Sequence, residues 1–206
     1  MKILSTNVFV GPNTWASFPV IRHVIDLGIL EQWPSAKIGK LFIDALVEAL
    51  PGLESHGCSY RKSGGFIRRL REDEGTWLGH VLEHCAIEIQ CIAGSDVTFG
   101  RTRSSGEVGQ YNMVYAYHQS NVGLEAGQLA LRLLMQILPN HLKKKVDYNF
   151  DNDFNWQNEI KEFILSAQKQ EFGPSTGSLV KAAEERDIPW LRLNKYSLVQ
   201  FGQGKH

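Results

Sequence analysis

Net charge is the first thing missing from this 206-residue sequence: 22 Lys and Arg are balanced by 22 Asp and Glu. Without a basic surplus there is no chain-wide footprint for nucleic acid, and electrostatic recognition has to come from local patches. Long apolar runs are also absent. The longest, such as LALRLLMQIL, are too short and too interrupted to span a bilayer, so no membrane role is expected. The opening MKILSTNVFVGPN lacks the apolar stretch and small-residue cleavage site of a secretory leader. Cysteines number only three (Cys58, Cys85, Cys91), with no Cys-x-x-Cys pair, which argues against a disulfide framework and for a reduced, cytoplasmic protein. Internal repeats and low-complexity segments are missing too. What is present, 43% apolar and 21% charged residues, is globular in character and long enough for one good-sized core.

Patterning divides the chain into strands and helices. ILSTNVFVG alternates as a strand, and PVIRHVIDLG is a weaker strand candidate. Ser35 is placed to cap a helix over AKIGKLFIDALVEAL that stops at Pro51-Gly52. GFIRRL reads as a short strand, and Thr76 as the cap of the next helix. TFGRTRSSGEVG reads as a loop, followed by the β-rich run QYNMVYAY. Asn121 is placed to cap VGLEAGQLALRLLMQIL, which Pro139 ends, and 140–153 reads as a connector. Helical periodicity resumes in FNWQNEIKEFILSAQ. Beyond Gly173-Pro174, a helix over STGSLVKAAEERD and strands over IPWLRL and SLVQFG form a separate unit, too small to close a core alone. GPSTGS, at the start of that helix, is a turn and cap rather than a Walker phosphate loop.

The chemistry concentrates in TWLGHVLEHCAIEIQ, which contains His-x-x-Glu-His as His80, Glu83 and His84. On a helix, positions i and i+4 send both imidazoles off one face at a spacing that suits two ligands of one zinc. Glu83 falls on the same broad face, as a general base for an attacking water. Leu78, Val81, Leu82, Cys85, Ala86 and Ile89 occupy the opposite side and would pack into a core. The competing reading is a buried helix whose histidines only satisfy hydrogen bonds inside that core.

His-x-x-Glu-His is the signature of the inverted zincins, and the element order resembles the pitrilysin type of that class. That resemblance implies a third ligand on a later helix. It points to Glu159, 75 residues after His84 at the start of FNWQNEIKEF's helix, with Glu162 as rival. Over nearly its whole length the chain also resembles the N-terminal region of cyanophycin synthetases. The segments that carry this are STNVFVGPN, FPVIRHVIDLGILEQWPSAKIG, PGLESHGCSYRKSGGFIRRL, DEGTWLGHVLEH, VGLEAGQLALRLL and GPSTGSLVKAAEERDIPWLRL, then YSLVQFGQGKH. The family polymerises aspartate and arginine into cyanophycin, using ATP and Mg2+ in ATP-grasp and Mur-ligase-like domains. The resemblance implies that only the start of the ATP-grasp unit falls within this chain.

Two readings of function follow. In the first, residues 1–160 form a zinc-dependent hydrolase domain that shortens cyanophycin into primers, and 161–206 are a linker helix and the beginning of the ATP-grasp domain. In the second, the domain is a non-catalytic dock for the polymer that supports homo-oligomer assembly. The implied fold is α+β, an antiparallel sheet packed with helices and similar to one half of a pitrilysin-type metallohydrolase. Arg69, Arg101, Arg103 and Glu72 are the candidates for substrate contact, with a solvated surface or a local salt-bridge cluster as the alternative. His23, His56, His118, His141 and His206 lack ligand spacing and are expected to be structural or surface residues.

Overall fold

A computed structural model describes residues 1–194 and 196–202; Lys195 and residues 203–206, His206 among them, lie outside the described residues. In chain order the elements are β1 (Lys2–Phe9), β2 (Val20–Asp26), α1 (Ser35–Ile38), α2 (Lys40–Ala49), α3 (Gly65–Arg71), α4 (Leu78–Ile92), β3 (Gly100–Ser104) and β4 (Gln110–Ala116). Then come α5 (Ser120–Ile137), α6 (Asn140–Lys143), α7 (Trp156–Gln170), α8 (Pro174–Glu184), β5 (Trp190–Arg192) and β6 (Val199–Phe201). Two 3-10 turns, Pro51–Ser55 and Cys58–Tyr60, join α2 to α3.

The first four strands make one antiparallel sheet in the order β1-β2-β4-β3. This is the α+β architecture expected of the sequence. The weaker strand candidate is the central one: β2 pairs on both sides because Val20, Ile21, Ile25 and their neighbours are buried. Helices α4 and α5 pack together, and α4 lies against β3 and β4. Every residue of α4 from Val81 to Gln90 is buried, so the helix is apolar nearly all round and its few polar groups must find internal partners. The Gln90 amide nitrogen does so by donating to the carbonyl of Ala116 at 3.2 Å, tying the end of α4 to β4, while its Oε1 has no hydrogen-bond partner among the described residues.

Four local expectations are corrected. GFIRRL is helix α3, not a strand. Phe66 and Leu70, four residues apart, are fully buried while Arg68 and Arg71 face water, which is helical spacing. TFGRTRSSGEVG is not all loop, since 100–104 pair with β4 as the edge strand β3. The capping positions also differ. Ser35 is the first residue of α1 and bridges Leu70 and Thr76, while Thr76 and Asn121 are not the N-caps of their helices. Gly39, at φ 113, breaks the predicted single helix into α1 and α2. Residue 160 lies inside α7, which packs on α5. The hairpin of β5 and β6 forms a second, two-stranded sheet. Among the described residues no helix is long and apolar enough to cross a membrane.

Candidate metal centre

Helix α4 presents His80 and His84 toward a cleft of about 970 Å³ that runs between the 3-10 turn at 58–60 and the edge strand β3, while Glu83 is packed against β3 beside it. The 3-10 turn supplies a donor absent from the His-x-x-Glu-His motif. Cys58 sits in the left-handed region at φ 47, and its Sγ lies 3.5 Å from His80 Nε2. The ligand atoms of Cys58, His80 and His84 all fall within 4.8 Å of one another. Zinc–sulfur and zinc–nitrogen bonds of about 2.3 and about 2.1 Å at a tetrahedral angle separate the two donors by about 3.6 Å. The Cys58–His80 spacing matches that value. A thiol and two imidazoles also form a donor set that suits zinc chemically.

Both imidazoles are held in place by other groups. His80 Nδ1 meets the Thr76 hydroxyl at 3.0 Å. His84 Nδ1 meets His56 Nδ1 at 2.8 Å, and the Phe66 ring stacks on His84 at 3.9 Å and 19°. Burial, with Arg69 and Arg103 nearby, lowers the His80 pKa to about 4. Burial, aided by His80 and His56, lowers that of His84 to about 2. Both rings are therefore neutral near pH 7 and carry a lone pair apiece, as metal ligation requires.

Glu83 faces β3 and is only 4% exposed. Its Oε2 accepts a hydrogen bond from the Thr102 hydroxyl at 2.5 Å. Gly100 makes the room: a Cβ there would lie 2.4 Å from Glu83 Oε1. Burial raises the Glu83 pKa to about 7, against the lowering effect of Thr102, Arg103 and Arg101. A carboxyl tuned close to neutrality is suited to proton transfer.

The other predicted residues divide. Arg69, Arg101 and Arg103 line the cleft. Glu72 does not; it accepts from Arg68 Nε at 2.6 Å and from Tyr60 Oη at 3.0 Å, a local surface cluster. Glu159 is not brought to the histidines. Arg132 holds it with two hydrogen bonds, at 2.7 and 2.8 Å, and Glu162 lines the same separate cleft between α5 and α7. The reason is packing: α7 lies on α5, and the thiol that approaches the two histidines, Cys58, comes from the turn before α3.

Sequence patterning missed Cys58 and His56. Both lie in the run ESHGCSY, which has neither helical nor strand periodicity and so gives no sign of which way its side chains point. The one available signal was that Cys58, unlike Cys85 and Cys91, falls outside an apolar helix.

The family profile described as the cyanophycin synthase-like N-terminal domain matches residues 22–139. The chain is 39% identical to the cyanophycin synthetase of Trichormus variabilis over 209 residues, covering 99% of this chain and 22% of the relative. To that of Geminocystis herdmanii it is 37% identical over 206 residues, covering 99% and 22%. To that of Synechocystis it is 36% identical over 208 residues, covering 100% and 23%. The chain spans about a fifth of the length of the curated relatives it matches. With the profile match across more than half its residues and identities above a third, this chain belongs to the cyanophycin synthase-like N-terminal domain family.

Proposed function

We propose that this domain is a zinc-dependent hydrolase that cuts cyanophycin into shorter chains, with Cys58, His80 and His84 holding the metal and Glu83 as general base. The observation that carries this reading is the meeting of Cys58 with the two histidines of the motif, one helical turn from a buried carboxyl whose pKa is near 7. The ligand set departs from the pitrilysin type in taking its third donor from a turn before the metal helix. Zinc held by these three residues would supply Lewis-acid chemistry, polarising a scissile carbonyl and acidifying an attacking water. Glu83 takes the proton of that water on its buried carboxylate and returns it to the departing amine, so one group serves as base and then acid. Thr102 keeps the carboxylate pointed across β3 during both transfers.

The rest of the cleft supports an extended, carboxylate-bearing substrate. Its charged rim is Arg69, Arg101 and Arg103, and its one lining carboxylate, Glu88, is already engaged by His56 at 2.9 Å. Among the described residues strand β3 pairs with β4 alone, which leaves its outer edge to accept a polymer backbone by strand addition.

The test is zinc content and chain length together. Purified protein should hold one zinc per chain, and Glu83→Gln should keep zinc and polymer binding while losing cleavage. Protein with no stoichiometric zinc, whose action on the polymer is unaffected by chelator, would overturn the hydrolase reading and leave a polymer-docking role.

A further inference from the structure

Beneath the metal centre lies a second line of polar groups that the proposed reaction does not use. Glu88, on α4 one turn past His84, is 8% exposed. Its Oε2 meets His56 Nε2 at 2.9 Å, and His56 Nδ1 in turn meets His84 Nδ1 at 2.8 Å. Glu88 is walled in by Gly52, where a Cβ would sit 1.9 Å from Oε1, so the 3-10 turn after α2 admits the carboxylate only because position 52 has no side chain.

The order of protons along this line follows from its acceptor end. A carboxylate has no proton to give, so His56 must donate to it from Nε2. A neutral His56 then has only a lone pair at Nδ1, and His84 must donate from its own Nδ1. That leaves the lone pair of His84 on Nε2. The contrast with His80 is informative: its partner is the Thr76 hydroxyl, which gives or takes a proton equally well, so Thr76 directs the ring without deciding its tautomer. Only the Glu88 line imposes one.

We propose that Glu88 and His56 are positioning residues that lock His84 in its Nδ1–H tautomer and so hold Nε2 ready as a metal-facing lone pair. This rests on the zinc reading of the site. It assigns His56 a supporting role and not a place among the ligands. The expected cost of losing such support is about 10- to 100-fold in metal affinity.

The experiment uses the full chain labelled with 15N-histidine, near neutral pH, first metal-free and then with one equivalent of zinc. Two-bond proton–nitrogen spectra should show His84 with its proton on Nδ1 before zinc is added. On loading, the His84 Nε2 signal should move while both His56 nitrogens keep the shifts of an unmetallated ring. Glu88→Gln should give a mixture of His84 tautomers and weaken zinc about 10- to 100-fold in chelator competition, with the melting temperature showing a folded protein. Gly52→Ala, which displaces the carboxylate without removing it, should act in the same direction. A metal-free wild type with the His84 proton on Nε2 overturns the proposal, even if no variant folds. So does a His56 nitrogen that shifts as a ligand, or a folded Glu88→Gln whose zinc affinity stays within about threefold of wild type. Failure of the wild type to bind zinc refutes the metal reading, and the metal-free spectrum still decides the tautomer.

Discussion

Replacing Glu83 by Gln should alter how stability depends on pH, and the structure sets the size of the change. Burial raises the Glu83 pKa from 4.5 to about 7. The folded protein therefore holds this proton more tightly than the unfolded chain does. The resulting stabilisation is fully present below the unfolded pKa of 4.5 and is lost as pH rises through the folded value of about 7. At about 1.4 kcal/mol per unit the shift corresponds to roughly 3 kcal/mol, of which roughly 2–3 kcal/mol disappears between about pH 5 and about pH 9. Gln carries no proton in this range and removes the term. His80 and His84 act in the opposite sense, since their depressed pKa values cost stability as pH falls. Comparing variant with wild type at each pH cancels that contribution. The assay is urea unfolding followed by tryptophan fluorescence, with chelator present, at the two pH values. Stability of wild type minus variant should fall by roughly 2–3 kcal/mol from the lower pH to the higher. A difference that stays flat would refute the burial argument and with it the tuning of Glu83 toward neutrality.

Two further substitutions probe the frame around the site. Tyr115 is fully buried, its hydroxyl bonded to His23 Nε2 at 2.8 Å and donating to the Gly123 carbonyl at 2.8 Å. Tyr115→Phe strands both partners and should cost about 1–3 kcal/mol, read by calorimetry as a melting temperature lower by roughly 2–10 °C. Glu159→Ala should leave zinc affinity unchanged and cost at most about 1 kcal/mol, because Arg132 is partly exposed and keeps Asp151 at 3.1 Å. A tenfold loss of zinc binding in that variant would return Glu159 to the metal centre.

How far the sequence reading reached depended on how local each feature is. His80 and His84 share a face because the helix repeats every 3.6 residues, and the apolar residues around them predicted the burial seen in α4. The ambiguity of PVIRHVIDLG came from its composition: the buried face of β2 includes the polar His23 between Ile21 and Ile25, and its other face carries the apolar Val24, so apolar residue types do not mark one face. In GFIRRL, three apolar residues around two arginines were too short a window to separate strand from helix; burial of Phe66 and Leu70 separates them. Glu159 was carried over from a resemblance, and the packing of α7 on α5 directed it to Arg132 instead.

By itself the sequence determined the ingredients whose geometry is set within one element: a neutral chain, an antiparallel α+β pattern, and two imidazoles and a carboxylate on one helix. Tertiary structure alone decided which distant groups meet them. Cys58 and His56 come from an aperiodic turn, Thr102 and Gly100 from an edge strand, and the room for Glu88 from a glycine 36 residues earlier. Local periodicity says which way a side chain leaves its own helix. It carries no information about which backbone will be folded against that face, because that depends on how all the apolar surfaces of the chain are buried together.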